Sequence, residues 1–235
     1  MWGKVMGSPR RSALAVGLFF LLTEVAAIAG LVLYQPALKD AAYVTGTGAD
    51  TRVLLGGLCE LVLVAAVIGT AAALYPVIRR IRPAVALGYV SVRLLEAVII
   101  VIGIVSVLSI VTVRRELAGD PAAPAIAKAL VALHDWTFLL GPNIALGANS
   151  VLLGYLMYRS RLVPRPIATL GLVGGALICL SATAVLFGLY EQVSTVGSLA
   201  ALPVFAWEVS LALYLIFRGF KHDPAGNGPA GAEDR

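Results

Sequence analysis

The chain alternates between long apolar runs and short polar connections that are rich in arginine, proline and glycine. Six runs approach or exceed the roughly 20 residues that a helix needs to cross the hydrocarbon core of a bilayer. They predict membrane-spanning helices over about 12–34, 53–75, 85–113, 130–158, 166–190 and 202–217. The third and fourth runs are longer than a bilayer requires, which predicts tilted, kinked or protruding helices. Pro142 lies inside the fourth run, where its missing N–H is expected to bend the helix.

Composition supports this prediction, because 60% of the 235 residues are hydrophobic and only 13% are charged. Soluble domains carry about 25% charged residues and need polar side chains to cover their surface. The composition therefore excludes a soluble enzyme, a nucleic-acid-binding protein, a disulfide scaffold and a disordered chain. We predict an all-α, single-domain bundle of six transmembrane helices over residues 1–220. Cys59 and Cys179 fall inside spans and are interpreted as small buried hydrophobic residues.

The distribution of lysine and arginine predicts the orientation of the bundle. Twelve of these residues lie before the first span, in the second and fourth connections or after the last span, against five in the other connections. Because cytoplasmic loops carry the excess of basic residues, both termini are predicted to be cytoplasmic. The triplet at 27–29 resembles a signal-peptide cleavage site, but the apolar run continues beyond it, which favours an uncleaved first helix. Residues 221–235 are rich in glycine, proline and alanine and predict a disordered cytoplasmic tail.

Two basic connections resemble each other. YPVIRRIRPAVALG begins at Tyr75 and YRSRLVPRPIATLG begins at Tyr158, and both place Tyr, Arg-Pro and Leu-Gly at matching positions. An internal duplication of spans two and three as spans four and five would explain the match. Convergence of two tight basic hairpins on the same residue types is the favoured explanation.

The same segments carry a family resemblance. The strings GYLMYRSRLVPRPIATLGLVGG, LYPVIRRI and ALGYVSVRLLEAVI resemble the bacterial membrane family catalogued as domain of unknown function 4386. The resemblance covers nearly all of 12–220 and implies a six-helix integral protein of a bacterial cytoplasmic membrane. It implies no reaction, substrate, cofactor or active-site residue.

Polar residues inside the spans are the candidate functional residues, because ionisable groups at membrane depth are costly. The predicted central cluster consists of Glu24, Glu60, Arg93, Glu96, Asn143, Asn149 and Glu208, and His134 with Asp135 forms an outer pair. Arg93 and Glu96 are three residues apart and share one helical face. The carboxyl groups outnumber the single arginine, so the interior requires protons, a bound cation or water. A purely structural interpretation pairs Arg93 with Glu60 or Glu96 and uses the remaining acids as interhelical hydrogen bonds.

Three functions are compatible with this pattern. The favoured hypothesis is a small transporter or ion-handling protein in which the carboxyl groups line a polar path. A sensor or accessory subunit is the second, and a lipid hydrolase with a metal held by His134, Asp135 and a glutamate is the third. The third is weakest, because zinc sites commonly use more than one histidine. The sequence predicts contact with lipid and a small-molecule or ion substrate, but no cofactor, no resident metal and no nucleic acid. Gly171 and Gly175 predict a close helix contact, within the chain or in a homo-oligomer.

Overall fold

The computed structural model describes residues 9–40, 42–46 and 49–221. The helices are α1 (Pro9–Lys39), α2 (Asp50–Ile78), α3 (Pro83–Glu116), α4 (Ala123–Leu139), α5 (Leu146–Ser160), α6 (Arg165–Leu186) and α7 (Thr195–Phe217). A π-helical turn over Leu140–Ala145 joins α4 to α5. These elements form six candidate membrane spans within the described ranges, as the sequence predicts. Nearly all of the predicted disordered tail, residues 222–235, lies outside the described residues.

Most helices extend beyond their predicted apolar runs, because the residues that flank each run continue the helix. The largest extensions are at two helix starts. The helix α4 begins at Ala123 instead of about Leu130, and α7 begins at Thr195 instead of about Leu202. Glu208 therefore lies near the midpoint of its helix. The predicted fifth span was too long, because α6 ends at Leu186 and not at Tyr190.

The early end of α6 has a local cause. Gly188 adopts a left-handed conformation with φ of 72°. Its N–H bonds the carbonyl of Val185, and the N–H of Leu189 bonds the carbonyl of Ala184. This pattern is a Schellman motif, which ends a helix at a glycine. The Tyr190 hydroxyl then donates to Ser181, which turns the connection back over the helix end.

The two ends of the bundle differ in packing. The terminal face contains the connections 79–82 and 161–164, and the distal face contains residues 40, 42–46 and 49 and the connections 117–122 and 187–194. The largest cluster of buried apolar side chains fills the terminal half and includes Phe20, Leu74, Leu153, Trp207 and Leu211. Two smaller clusters lie elsewhere. One contains side chains of α1, α2 and α3 near mid-height, and the other contains side chains of α1, α2, α3 and α4 near the distal face.

The first and last helices meet in the terminal half. The Arg10 guanidinium donates to the carbonyls of Leu215 and Ile216 at 3.2 and 2.6 Å, where the end of α7 leaves carbonyl groups without helical partners. Further along α1, a Cβ added to Gly17 would lie 2.7 Å from the Ala212 carbonyl oxygen. The backbones of α1 and α7 are therefore in close contact on this side.

An ion-pair cluster fixes the distal ends of α2 and α3. Asp50, at the start of α2, pairs with Arg114 and with Arg115, whose Nε lies 2.8 Å from Asp50 Oδ2. The Tyr43 hydroxyl donates to Asp50 Oδ1 at 2.9 Å, and the Arg114 guanidinium lies over the Tyr43 ring. These contacts occupy two of the five basic residues that the sequence assigns to this side.

The small residues of α6 pack within the chain. A Cβ on Gly171 would lie 2.6 Å from the Trp207 ring of α7, and one on Gly175 would lie 2.6 Å from the Gly147 carbonyl oxygen of α5. Of the two alternatives from the sequence, packing inside one chain is the one that these glycines adopt.

Candidate functional site

Arg93 stands at the centre of the polar residues. It is 2% exposed, and its Nη1 lies 3.0 Å from Glu96 Oε2 on the same helix. Its Nη2 lies 3.4 Å from Glu208 Oε1 on α7. The guanidinium also covers the Phe20 ring of α1 at 5.4 Å. One buried arginine thus connects three helices, and its partners are Glu96 and Glu208 and not Glu60.

The other two carboxyl groups, those of Glu24 and Glu60, have fewer hydrogen-bond partners within the described ranges than that of Glu96. Glu24 of α1 interacts directly with the Glu208 carboxyl group of α7. Two adjacent carboxylates repel each other, so such a pair is stable when it holds a proton or a cation. Glu60 of α2 forms no hydrogen bond or ion pair among the described residues. Its side chain packs beside Gly30, where an added Cβ would lie 2.8 Å from Glu60 Cγ.

Two asparagines complete the cluster. Asn149 donates from Nδ2 to Glu96 Oε2 at 2.7 Å, the same oxygen that Arg93 Nη1 contacts at 3.0 Å. Asn143 belongs to the π-helical turn. Pro142 cannot donate to the carbonyl of Phe138, and the Asn143 side chain donates to it instead at 3.0 Å. The bend that Pro142 predicts thus takes the form of a π turn, a feature often found at functional sites.

These side chains surround one cavity of about 300 Å³, which we call the central cavity. It is lined by Thr23, Glu24, Ala27, Ile28, Leu31, Glu60, Leu63, Val67, Arg93, Glu96, Ile100, Phe138, Pro142, Asn143, Leu146, Ile178, Ala201, Val204, Phe205 and Glu208. Six of the seven predicted cluster residues line it, while Asn149 supports Glu96 from behind. A cavity of this volume accommodates a small organic molecule as well as water or an ion.

The central cavity is closed toward the terminal face and reaches the surface elsewhere. The apolar cluster that contains Phe20 and Trp207 fills the space between the cavity and the terminal face. Ile28 of α1 and Phe205 of α7 line the cavity and are also exposed on the outside of the bundle. Part of the cavity wall is therefore formed by side chains of α1 and α7 that also reach the outside of the bundle.

A second cavity of about 460 Å³, which we call the distal cavity, lies above the first. Its walls come from the end of α1, from α4 and from the connection after α6, including Gln35, Lys39, His134, Asp135 and Glu191. Leu31 and Phe138 line both cavities and form the boundary between them. Polar groups thus continue from the distal face to the boundary of the central cavity.

The predicted outer pair lies at this second cavity. His134 is 6% exposed, and its Nδ1 is 3.5 Å from Asp135 Oδ1 without forming a hydrogen bond. The Asp135 side chain is 67% exposed. His134 and Glu60 together line a small cavity of about 10 Å³ between the two larger ones. The structure therefore places the outer pair next to the central cluster and not within it.

Sequence reasoning missed the aromatic and apolar residues that shape the site. Phe20 lies one helical turn before Glu24, so i,i+4 spacing could have placed it on the same face. No sequence pattern indicates that Leu31 and Phe138 separate two cavities, since their meeting depends on how α1 and α4 pack. Within the described ranges, no group of three His, Cys, Asp or Glu side chains is arranged to hold a metal ion.

Six apolar spans around a buried set of charged side chains define a multi-pass membrane protein. The family described as Domain of unknown function (DUF4386) matches residues 15–219, and the chain belongs to that family. This agrees with the resemblance of the two basic hairpins. No curated protein and no solved structure matches the chain.

Proposed function

We propose that this chain is a small transporter that exchanges protons or other cations at the central cavity. The observation that supports the proposal is the convergence of four carboxyl groups, from α1, α2, α3 and α7, on one cavity with a single guanidinium. Intramembrane carboxyl groups of this kind mark ion and proton pathways. Glu24, Glu60, Glu96 and Glu208 are the proposed exchanging groups, and Arg93 limits their negative charge.

The charge balance of the cavity favours positively charged ligands. Full ionisation of the four carboxyl groups would leave three negative charges unbalanced after Arg93 is counted. Charge of that size in a low-dielectric interior attracts protons or a cation strongly. Arg93 is engaged by Glu96 and Glu208, so Glu24 and Glu60 are the groups best placed to receive a further positive charge.

The shape of the bundle fits one state of an alternating-access cycle. The terminal side is filled by apolar side chains, and polar groups extend from the cavity toward the distal face. Alternating access requires a site near mid-membrane that opens to one side at a time. The contact of α1 with α7 in the terminal half is the part that must separate in the opposite state.

The proposed location is the cytoplasmic membrane of a bacterium, with the terminal face in the cytoplasm. The excess of lysine and arginine in the connections 79–82 and 161–164 supports this orientation. A reporter fused after Lys221 tests it. Green fluorescent protein should fluoresce there and alkaline phosphatase should be inactive, and the reverse result would reject the orientation.

Proton flux in liposomes tests the proposed activity. Purified protein is reconstituted with a pH-sensitive dye inside the vesicles, and an acid step is applied outside in the presence of valinomycin and potassium. Vesicles with the wild-type chain should acidify faster than empty vesicles. Glu60→Gln and Glu24→Gln should reduce the difference by more than tenfold.

The matched control is Glu116→Gln, because Glu116 is an exposed carboxyl group on the distal side that lines neither cavity. It should transport protons like the wild type. Equal flux in wild type, variants and empty vesicles would reject the proposed function.

A further inference from the structure

His134 is the one described polar side chain that reaches from the distal cavity toward the central cluster. It lines the distal cavity together with Asp135. It also lines the small cavity that it shares with Glu60, and the two side chains are close enough to interact electrostatically. Glu60 in turn lines the central cavity.

The ring is buried and incompletely bonded. His134 is 94% buried, and its Nδ1 has no hydrogen-bond partner in the described part of the chain. An unpaired polar nitrogen in such a position is costly unless it serves a ligand, water or a proton. The ring is nevertheless held in place, because Phe138 stacks on it at 6.2 Å and Tyr34 packs edge-on at 6.0 Å.

The groups around His134 define its electrostatic setting. The titratable or charged side chains that face the ring or line its two cavities are Tyr34 and Lys39 of α1, Glu60 of α2, Asp135 of α4, and Tyr190 and Glu191 of the last connection. On the α3 side the small cavity is lined by Ile100 and Gly103, which cannot titrate. Carboxyl groups therefore lie on both sides of the imidazole, Asp135 and Glu191 at the distal cavity and Glu60 at the central cavity.

We propose that His134 is the proton relay between the distal cavity and Glu60, and this proposal rests on proton exchange at the central cavity. A proton from water in the distal cavity binds the neutral imidazole and gives an imidazolium ion. The imidazolium then releases one proton to the Glu60 carboxylate, so that the imidazole is neutral again and Glu60 is a carboxylic acid. The reverse sequence returns the proton. Histidine suits this role because its ring can bind or release a proton at either of two nitrogens.

The relay explains why the two large cavities are separated by apolar side chains. Leu31 and Phe138 line both cavities and lie at the boundary between them. A side chain that passes protons but not solute allows Glu60 to exchange protons with the distal side while the central cavity keeps its other contents. His134 is thus a proton-transfer residue for the site, and its ring position is set by Phe138 and Tyr34.

The test measures protonation of Glu60 directly. Infrared difference spectra after a pH jump on the distal side follow the carboxylic acid band that is lost in Glu60→Gln. His134→Ala should slow the appearance of this band by about a hundredfold, the usual contribution of a positioned acid or base. Millimolar imidazole should restore the rate, because the shortened side chain leaves room beside the distal cavity. His134→Gln should be slow as well and should respond little to imidazole.

Glu116→Gln is the matched control. It removes an exposed carboxyl group on the distal side that lines none of the three cavities, so proton transfer to Glu60 should keep its wild-type rate. Unchanged protonation of Glu60 in both His134 variants would overturn the relay. If these variants are slow and imidazole rescues His134→Ala, the relay holds whether or not protons cross the membrane. Loss of transmembrane flux alone would count against the proposed function and not against the relay.

Discussion

Arg93 and Glu208 are 115 residues apart in the chain and form an ion pair of 3.4 Å in the middle of the bundle. The pair links the third span to the last. Because Glu208 also touches Glu24 on the first span, the three helices share one set of charges. A change at any of the three positions should therefore alter packing and charge together.

Removal of Arg93 should destabilise the fold strongly. Arg93→Ala leaves Glu96 and Glu208 without their positive partner, a change that costs about 3–5 kcal/mol for a buried pair. Thermal unfolding in detergent should show a large drop in melting temperature. Adding Glu96→Gln should recover part of the loss, because it removes one unpaired charge.

Glu60→Gln provides the comparison for this experiment, since Glu60 makes no ion pair with Arg93. Combined with Arg93→Ala, it should recover much less stability than Glu96→Gln does. Equal recovery by the two second-site changes would mean that Arg93 pairs with Glu60 in the membrane.

The glycines of α6 should be needed for packing. Gly175→Ala would place a Cβ 2.6 Å from the Gly147 carbonyl oxygen and 2.9 Å from the backbone nitrogen of Val151. Backbone atoms cannot move aside easily, so we expect a loss of about 1–3 kcal/mol. Gly88→Ala is the matched control, because the nearest atom to its Cβ is Leu152 Cδ1 at 3.9 Å. It should leave stability unchanged or raise it by up to about 1 kcal/mol, since alanine favours helix. Equal effects of the two substitutions in thermal unfolding would contradict the tight α5–α6 contact.

Thiol labelling should reveal the charge of the central cavity. In a chain without Cys59 and Cys179, cysteine is placed at Ala27, which lines the cavity, or at Ala73, which lies in the terminal core. A small cationic methanethiosulfonate should modify Ala27→Cys faster than its anionic counterpart, because the cavity is rich in carboxyl groups. Ala73→Cys should react with neither reagent. Faster reaction with the anion at Ala27→Cys would contradict a cation-attracting cavity.

Tyr43, in the connection between α1 and α2, should lose its phenol proton at a higher pH than an ordinary tyrosine. Burial, and next its hydrogen bond to Asp50, raises the pKa of Tyr43 to about 12. The folded protein holds the phenol proton more tightly than the unfolded chain, so this contact stabilises the fold below pH 10. The stabilisation is lost as the pH rises toward 12. Phenolate absorbance of the wild type minus Tyr43→Phe should show this midpoint, and a midpoint near 10 would show that Tyr43 is not held by Asp50.

The sequence predicted the architecture well because apolar run length determines which segments can span a bilayer. It placed all six spans, including the one that Pro142 interrupts, and it selected Glu24, Glu60, Arg93, Glu96 and Glu208 as the unusual residues. It could not choose between the partners of Arg93. Helix periodicity orders residues within one span, but the contacts between spans depend on how the helices pack.

Two features of the site depend on details that apolar patterns do not contain. The end of α6 is determined by the backbone conformation of Gly188, and this conformation turns the last connection back over the distal cavity. Pro142 has no N–H to donate to the Phe138 carbonyl, and the Asn143 side chain donates to it instead, within the π turn that lines the central cavity. In both cases a local backbone conformation determines which residues form the wall of a cavity.

The hydrogen bonds of Arg10 to the end of α7 also have a consequence for the order of synthesis and membrane insertion. Arg10 and Leu215 are 205 residues apart, so at roughly 5–20 residues per second the ribosome needs on the order of 10–40 s to deliver the second after the first. During that interval α1 is already synthesised and Glu24 lacks the Glu208 partner of the finished bundle. A translocon, a chaperone or a proton must shield that carboxyl group until the last span arrives. The contact between the first and last helices therefore cannot form before α7 is synthesised, and truncation before α7 should leave a nascent chain that quality-control proteases recognise.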